Sequence, residues 1–206
     1  MPGEKIDFEV VRKMAQALSQ VEPGDPNAFV AAMAARIPPG PVLCLAEGEG
    51  RNATYLAALG HAVTAVDQSP VGLAKARLLA ETRSVPLTTV VADLADFEVG
   101  ERAWSGIVAT FAHLPPPLRR EVHARVARGL APGGVFLLEA YTPDQLGRGT
   151  GGPRELELCM TLEGLRGELG SLEFEFAQEC VREVVEGTGH TGTGAVVQLV
   201  ARRPGR

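Results

Sequence analysis

Two glutamates interleaved with small residues are where the sequence concentrates its chemistry. Ala46-Glu47-Gly48-Glu49-Gly50-Arg51 follows the apolar run Val42-Leu43-Cys44-Leu45 and precedes a helical pattern. Such a stretch reads as a buried strand, a tight turn and a helix N-terminus, the arrangement with which an open α/β sheet holds a nucleotide-like ligand. Gly48 and Gly50 accept positive φ and let the backbone approach that ligand, while the first N–H groups of the helix from Arg51 point into the same space. Free N–H groups favour a carboxylate or a phosphate. The glutamates argue against the phosphate, because a pyrophosphate a few ångströms from two carboxylates would be repelled by on the order of several kcal/mol in a partly buried site.

S-adenosylmethionine carries an ammonium and a sulfonium beside a single carboxylate, so a turn offering carboxylates and N–H donors together suits it. Two alternatives stay open. Gly48-Glu49-Gly50-Arg51-Asn52-Ala53 satisfies the G-x-G-x-x-A pattern, as in an NAD-dependent oxidoreductase, and an acidic turn between strand and helix need hold no ligand at all.

Further candidates fall at the ends of later apolar runs. Asp67 closes Ala62–Val66, seventeen residues past Gly50, near the spacing of about 20 at which such folds set an acid on a ribose. Gln68 and Ser69 follow it, and Ser69-Pro70 supplies an N-cap and an N1 proline. Asp93-Leu94 ends Leu87–Ala92. A carboxylate there either accepts from an adenine amino group, with Leu94 along the ring, or caps the next turn. Phe111-Ala112-His113 leaves the run Trp104–Thr110. His113 either takes a proton from an acceptor thiol or hydroxyl or fills the pocket wall. His190, in the glycine-rich segment 187–194, either meets an acceptor or packs within its loop. Tyr141, and Arg148 or Arg154, are placed to recognise an anionic acceptor or are left to solvent.

The elements that must position these residues alternate in type. Helical patterns are expected over Ala28–Arg36, Arg51–Leu59, from Ser69-Pro70 to Thr82, from Pro115 to Leu130, and from Thr161 to Leu169. The strands Val42–Leu45, Ala62–Val66, Leu87–Ala92, Trp104–Thr110 and Val135–Tyr141 lie between them. Such alternation predicts a parallel sheet with right-handed crossovers, whose strand C-termini gather along one edge. Leu172–Val185 and Ala195–Ala201 read as two closing strands, the last returning antiparallel. Ile6, Val10, Met14, Leu18 and Val21 mark an amphipathic N-terminal helix, a lid or a brace. One domain is expected over 1–206, with 1–25 as that helix and 26–203 as the core.

Composition narrows the class. A chain of 206 residues, 45% hydrophobic and 22% charged, can bury a sizeable core. A net charge of −5 without a basic run leaves no footprint for nucleic acid. The apolar runs are too short to cross a bilayer, and Met1-Pro2-Gly3-Glu4 does not open a signal peptide. Three scattered cysteines, Cys44, Cys159 and Cys180, read as reduced core thiols without metal-ligand spacing. A cytoplasmic protein, monomer or homodimer, with a small-molecule substrate and no metal or membrane partner is expected.

Glu47-Gly48-Glu49-Gly50-Arg51-Asn52, Asp67, Asp93, Ala131-Pro132-Gly133-Gly134 and the antiparallel last strand together resemble the class I S-adenosylmethionine-dependent methyltransferases. Pro26-Asn27, Thr150-Gly151-Gly152-Pro153 and Gly189-His190-Thr191-Gly192 are similar to the small bacterial tellurite-resistance type. The resemblance implies a Rossmann-like, seven-stranded sheet of order 3-2-1-4-5-7-6 with helices on both faces. It also implies methyl transfer to a small acceptor: a thiol, an oxyanion such as tellurite or selenite, or a hydroxyl. Ala46 to Arg51 would hold the methionine moiety, Asp67 with Gln68 and Ser69 the ribose, and Asp93 with Leu94 the adenine. Phe111 and His113 would line the methyl-donor side. Where many members carry an acid and a glycine, this chain has Cys44 and Ala46, and Glu47 stands nearby as a substitute acid. A protein that binds S-adenosylmethionine without turnover is a further alternative, since methyl transfer obliges no acid/base residue.

Overall fold

The computed structural model describes residues 24–185 and 191–205. The amphipathic pattern at Ile6–Val21 and the histidine His190 lie outside them. Seven strands form one sheet of order β3-β2-β1-β4-β5-β7-β6, with β1 at Pro41–Leu45, β2 at Ala62–Asp67, β3 at Thr88–Val91, β4 at Trp104–Thr110, β5 at Leu130–Tyr141, β6 at Glu173–Val185 and β7 at Thr191–Arg202. The first five run parallel, and β7 is antiparallel to both β5 and β6, as expected. Helices α1 (Ala28–Met33), α2 (Arg51–Ala58), α3 (Pro70–Thr82), α4 (Pro116–Gly129) and α5 (Leu162–Glu168) complete the fold.

Three of these helices, α1, α3 and α5, begin where the sequence supplies a side-chain cap. Asn27 accepts from Val30 N–H, Ser69 from Gly72 N–H and Thr161 from Gly164 N–H, each satisfying a donor that the first turn leaves unpaired. Several boundaries differ from expectation: β7 starts at Thr191 rather than Ala195, and α1 ends at Met33, with Ala34–Arg36 continuing as a 3-10 turn. The ladder of β5 starts at Leu130, not Val135, because Leu130 pairs with Trp104 before Ala131-Pro132-Gly133-Gly134 bulges out and pairing resumes at Gly106 with Val135.

Two apolar layers flank the sheet. Phe29, Val30 and Met33 of α1, Leu56 of α2 and Leu73 of α3 pack over Val42, Cys44, Val108 and Leu137. Val122 and Val126 of α4, with Leu165 of α5, cover Leu43, Ile107, Phe136 and Leu138 on the other face. The second layer is pinned by a buried ion cluster. Glu168 accepts from the Arg119 guanidinium at 2.9 Å and lies 2.7 Å from His123 Nδ1. Burial alone would raise the Glu168 carboxyl, but His123 and Arg119 outweigh it and bring it down to about 2.

Stability supplied by that carboxylate is present above the ordinary carboxyl range and is lost as pH falls through about 2. Glu168→Gln is expected to lower unfolding free energy at pH 7 by about 2 to 4 kcal/mol, since it leaves the largely covered Arg119 guanidinium without a counter-charge. Urea unfolding of parent and variant between pH 7 and pH 3 checks this, and the gap between them is expected to narrow below about pH 4.5.

Candidate active site at the strand ends

The chain builds outward from β1 to β3 and then returns to place β4 on the other side of β1. The C-terminal ends of β1 and β4 therefore diverge, and the crevice between them is where sheets of this kind bind ligands. The residues that follow these two strands, Ala46 at φ 49° and Phe111 at φ 54°, are both non-glycine residues in the left-handed region. Strain of this kind persists where the surroundings impose it, and functional sites are where it gathers.

In the turn after β1, Gly48 has φ 65° and a Cβ there would meet nothing within 4 Å, so its backbone faces open space. Gly50 is different. Its φ is 88°, and a Cβ would sit 2.5 Å from Ala76 Cβ, so glycine is what lets α2 start against α3. Asp67, at the end of β2, ties this turn down. Its Oδ2 accepts from Gly48 N–H at 2.8 Å and its Oδ1 from Ser69 N–H at 2.7 Å. Each carboxylate oxygen retains a further lone pair for a ligand hydroxyl.

The two glutamates of the turn part company. Glu49 is exposed and pairs with Lys75 of α3 at 2.6 Å. Glu47 folds under the turn, where its Oε1 accepts from Ala53 N–H at 2.8 Å in the first turn of α2. Burial pushes the Glu47 carboxyl up to about 7 against the opposing pull of the Ala53 amide and Arg51. The same confinement, with Glu47 alongside, holds the fully buried Cys44 thiol well above its usual range. The acidic pair thus presents less negative charge to a ligand at neutral pH than its sequence implies.

At the end of β3, Asp93 Oδ1 accepts from Ala95 N–H at 2.8 Å, capping the turn while the side chain stays exposed. Leu94 is buried beneath it, in the apolar layer with Leu45 and Ala109. Gln68 is exposed beside Ser69. Beyond β4, Phe111, His113 and Tyr141 form a ring cluster, with centroids 4.6 Å apart for Phe111 and Tyr141 and 5.6 Å apart for His113 and Tyr141. Tyr141 is fully buried, and Phe111 and His113 are half-buried. His113 Nδ1 lies 2.9 Å from the Leu158 carbonyl, which can only accept, so the proton is assigned to Nδ1; Nε2 accepts from Tyr141 N–H at 3.4 Å. Both ring nitrogens are engaged by backbone.

Sequence reasoning missed a buried polar network on the same edge. Glu139 of β5 is fully buried and accepts from Arg182 Nε at 2.7 Å and Nη2 at 2.5 Å, from Gln198 Nε2 at 2.6 Å, and from Asn27 Nδ2. Asn27 N–H donates to Asn52 Oδ1 at 2.8 Å, and Asn52 Nδ2 to Thr110 Oγ1 at 3.0 Å. A lone carboxylate inside the apolar run Val135-Phe136-Leu137-Leu138-Glu139-Ala140 was its available signal, because a buried acid requires partners. Among the described residues no group of three or more His, Cys, Asp or Glu is placed to hold a metal ion, and no helix is long and apolar enough to cross a membrane.

Strand order and crevice together define the class I methyltransferase fold. Residues 42–134, the stretch that holds the turn and Asp67, match the protein family described as Methyltransferase domain. No curated protein sequence matches the chain significantly. Among solved structures, one from work on the conversion of a disulfide bond into a thioacetal group during echinomycin biosynthesis is similar at 24% identity and TM-score 0.71, over 89% of this chain and 84% of that one. TehB from Haemophilus influenzae is similar at 23% identity and TM-score 0.70, over 84% of this chain and 61% of TehB. An S-adenosylmethionine-dependent methyltransferase from Mesorhizobium loti is similar at 17% identity and TM-score 0.62, over 84% and 96%. At these identities the likeness speaks for the fold.

The raised Glu47 carboxyl carries a pH signature. Because its folded value lies above the unfolded one, its contribution to stability is fully present below about 4.5 and is lost as pH rises through about 7. Relative to Glu47→Gln, the parent is expected to lose up to about 3 kcal/mol of unfolding free energy between pH 4.5 and 7.5. Denaturant titrations at several pH values read this directly, and parallel curves for the two proteins would remove Glu47 from the account.

Proposed function

We propose that the chain transfers a methyl group from S-adenosylmethionine to a small-molecule acceptor whose attacking atom is a soft nucleophile, a thiol or a chalcogen oxyanion. The observation that carries this reading is the crevice between β1 and β4, where Asp67 and an open glycine turn lie within the span that matches a methyltransferase domain.

The residues fit that cofactor. Open space at Gly48 admits the methionine moiety, and Glu47 beneath the turn is the acid nearest its ammonium. Asp67 has lone pairs for two ribose hydroxyls, and the free oxygen of Asp93 lies in reach of an adenine amino group at the end of β3. Phe111 and His113 present ring faces at the β4 end, which favour a sulfonium over a neutral group. When bound, the cofactor supplies an activated methyl carbon. The protein's part is then to align the acceptor in line and to exclude water.

The proton inventory supports that acceptor class. His113 has both nitrogens engaged and Tyr141 is buried, so neither side chain is disposed to take a proton from an alcohol. A thiolate or an oxyanion needs no such step at neutral pH. The likeness to TehB and to a structure from disulfide-to-thioacetal chemistry supports the same class. His113 serves in this reading as pocket wall, and His190 stands as a candidate for contact with the acceptor.

Calorimetric titration with S-adenosylmethionine, S-adenosylhomocysteine and NAD tests the cofactor, with binding expected for the first two alone. Incubation with thiols, tellurite and selenite, scored by released S-adenosylhomocysteine, tests the acceptor; turnover on hydroxylated compounds alone would contradict the class named. Asp67→Ala is expected to weaken cofactor binding by about 1.5 to 3 kcal/mol through lost charge-assisted hydrogen bonds. An affinity within twofold of the parent would place the ribose elsewhere.

A further inference from the structure

Asn27 is fully buried, and its polar groups reach three elements, α1, α2 and β5. Its Oδ1 caps α1 at Val30 N–H. Its Nδ2 donates to Glu139 of β5, which in turn holds Arg182 of β6. Its backbone N–H donates to Asn52 in the first turn of α2, the helix whose N-terminus is the cofactor turn. The residues before it are bound to that helix as well. Arg51 Nη1 donates to the Asp25 carbonyl at 3.2 Å, and Arg83 reaches the Gly24 carbonyl at 2.6 Å and Thr54 of α2 at 2.9 Å. Asn52 continues the chain of hydrogen bonds to Thr110, immediately before the strained Phe111. Residues 24–27 therefore form a strap that joins the donor-side helix to the strands that wall the opposite side of the crevice.

We propose that Asn27 is a positioning residue for methyl transfer: by linking Asn52 on α2 to Glu139 on β5 it fixes the cofactor turn relative to the acceptor wall. The proposal rests on the reading that the turn after β1 holds S-adenosylmethionine. A buried polar network is expensive to assemble unless every member is satisfied, and here the satisfied members converge on the two strand ends that form the crevice. Stability alone would be served as well by apolar packing at these positions. What such packing lacks is direction, because hydrogen bonds fix a helix terminus to within tenths of an ångström and apolar contacts do not.

The test compares the parent with Asn27→Ser, whose shorter hydroxyl retains the cap on α1 and loses reach to Glu139. Val126→Ala, a core truncation on the other face of the sheet, serves as a control for simple destabilisation. Affinity for S-adenosylhomocysteine is measured by calorimetry, and amide hydrogen exchange is followed over residues 47–54. A parent that fails to bind S-adenosylhomocysteine contradicts the proposed function and overturns this proposal with it, whereas the variant outcomes bear on Asn27 alone. With a binding parent, Asn27→Ser is expected to lose at least tenfold in affinity and to exchange faster across 47–54, while Val126→Ala stays within twofold. An Asn27→Ser affinity within twofold of the parent overturns the proposal, as does an equal loss in Val126→Ala. Should Asn27→Ser fail to fold, Asn52→Leu removes the acceptor for the Asn27 N–H, and Thr110→Val removes only the bond from Asn52 to β4. A loss in Asn52→Leu that Thr110→Val does not share supports the linkage through Asn27, and an affinity of Asn52→Leu within twofold of the parent, or an equal loss in both variants, refutes it.

Discussion

One carboxylate holds the site open. Asp67 accepts from the backbone of the glycine turn on one side and from the start of α3 on the other, and so fixes the ends of β1 and β2 as a single shelf. The reversal of strand order beside β1 leaves a crevice next to that shelf. Everything else at this edge follows from the pair of constraints. Gly50 must be a glycine because Ala76 stands where its Cβ would be, and Glu47 must fold under the turn because the first amides of α2 lie there. The Asp67 carboxylate thus stands at the shelf in a position suited to hydroxyl donors.

Opposite the shelf, a rigid aromatic and polar wall is built from elements distant in sequence. Phe111 leaves β4 in a left-handed conformation, and its N–H is held by the Glu139 carbonyl at 2.7 Å. The Glu139 side chain, on the same residue, gathers Arg182, Gln198 and Asn27. The backbone strain at Phe111 and the buried charge at Glu139 are thus imposed at one place. Both cost folding free energy and both order the crevice, which is how strain and buried ions come to be retained near functional sites.

Much of this was legible in sequence because its signals are local. Val42–Leu45 followed by Gly48 and Gly50, Ser69-Pro70, and Asp67 at the end of an apolar run each report a strand end or helix start through short-range chemistry. The closing pair of strands was legible too, since the β6 sequence alternates, the β7 sequence holds an apolar run broken only at Gln198, and a glycine-rich segment separates them. What sequence withheld depended on long-range pairing. The pairing of Glu49 with Lys75 exists only because α3 folds back against the turn. Glu139, Arg182 and Asn27 are separated by more than forty residues in every pairing, and no spacing rule joins them. The state of His113 likewise depended on the Leu158 carbonyl arriving from a loop whose irregular sequence specifies no periodic structure.

The central claim is that the crevice between β1 and β4 takes the adenosine and methionine of S-adenosylmethionine, with the ribose on Asp67. A crystal structure of the protein grown with S-adenosylhomocysteine and NAD together tests it most directly. The account predicts S-adenosylhomocysteine in the crevice, its ribose hydroxyls within hydrogen-bond distance of the Asp67 carboxylate and its thioether facing Phe111. The dinucleotide in that position, or S-adenosylhomocysteine bound away from Asp67, would contradict it.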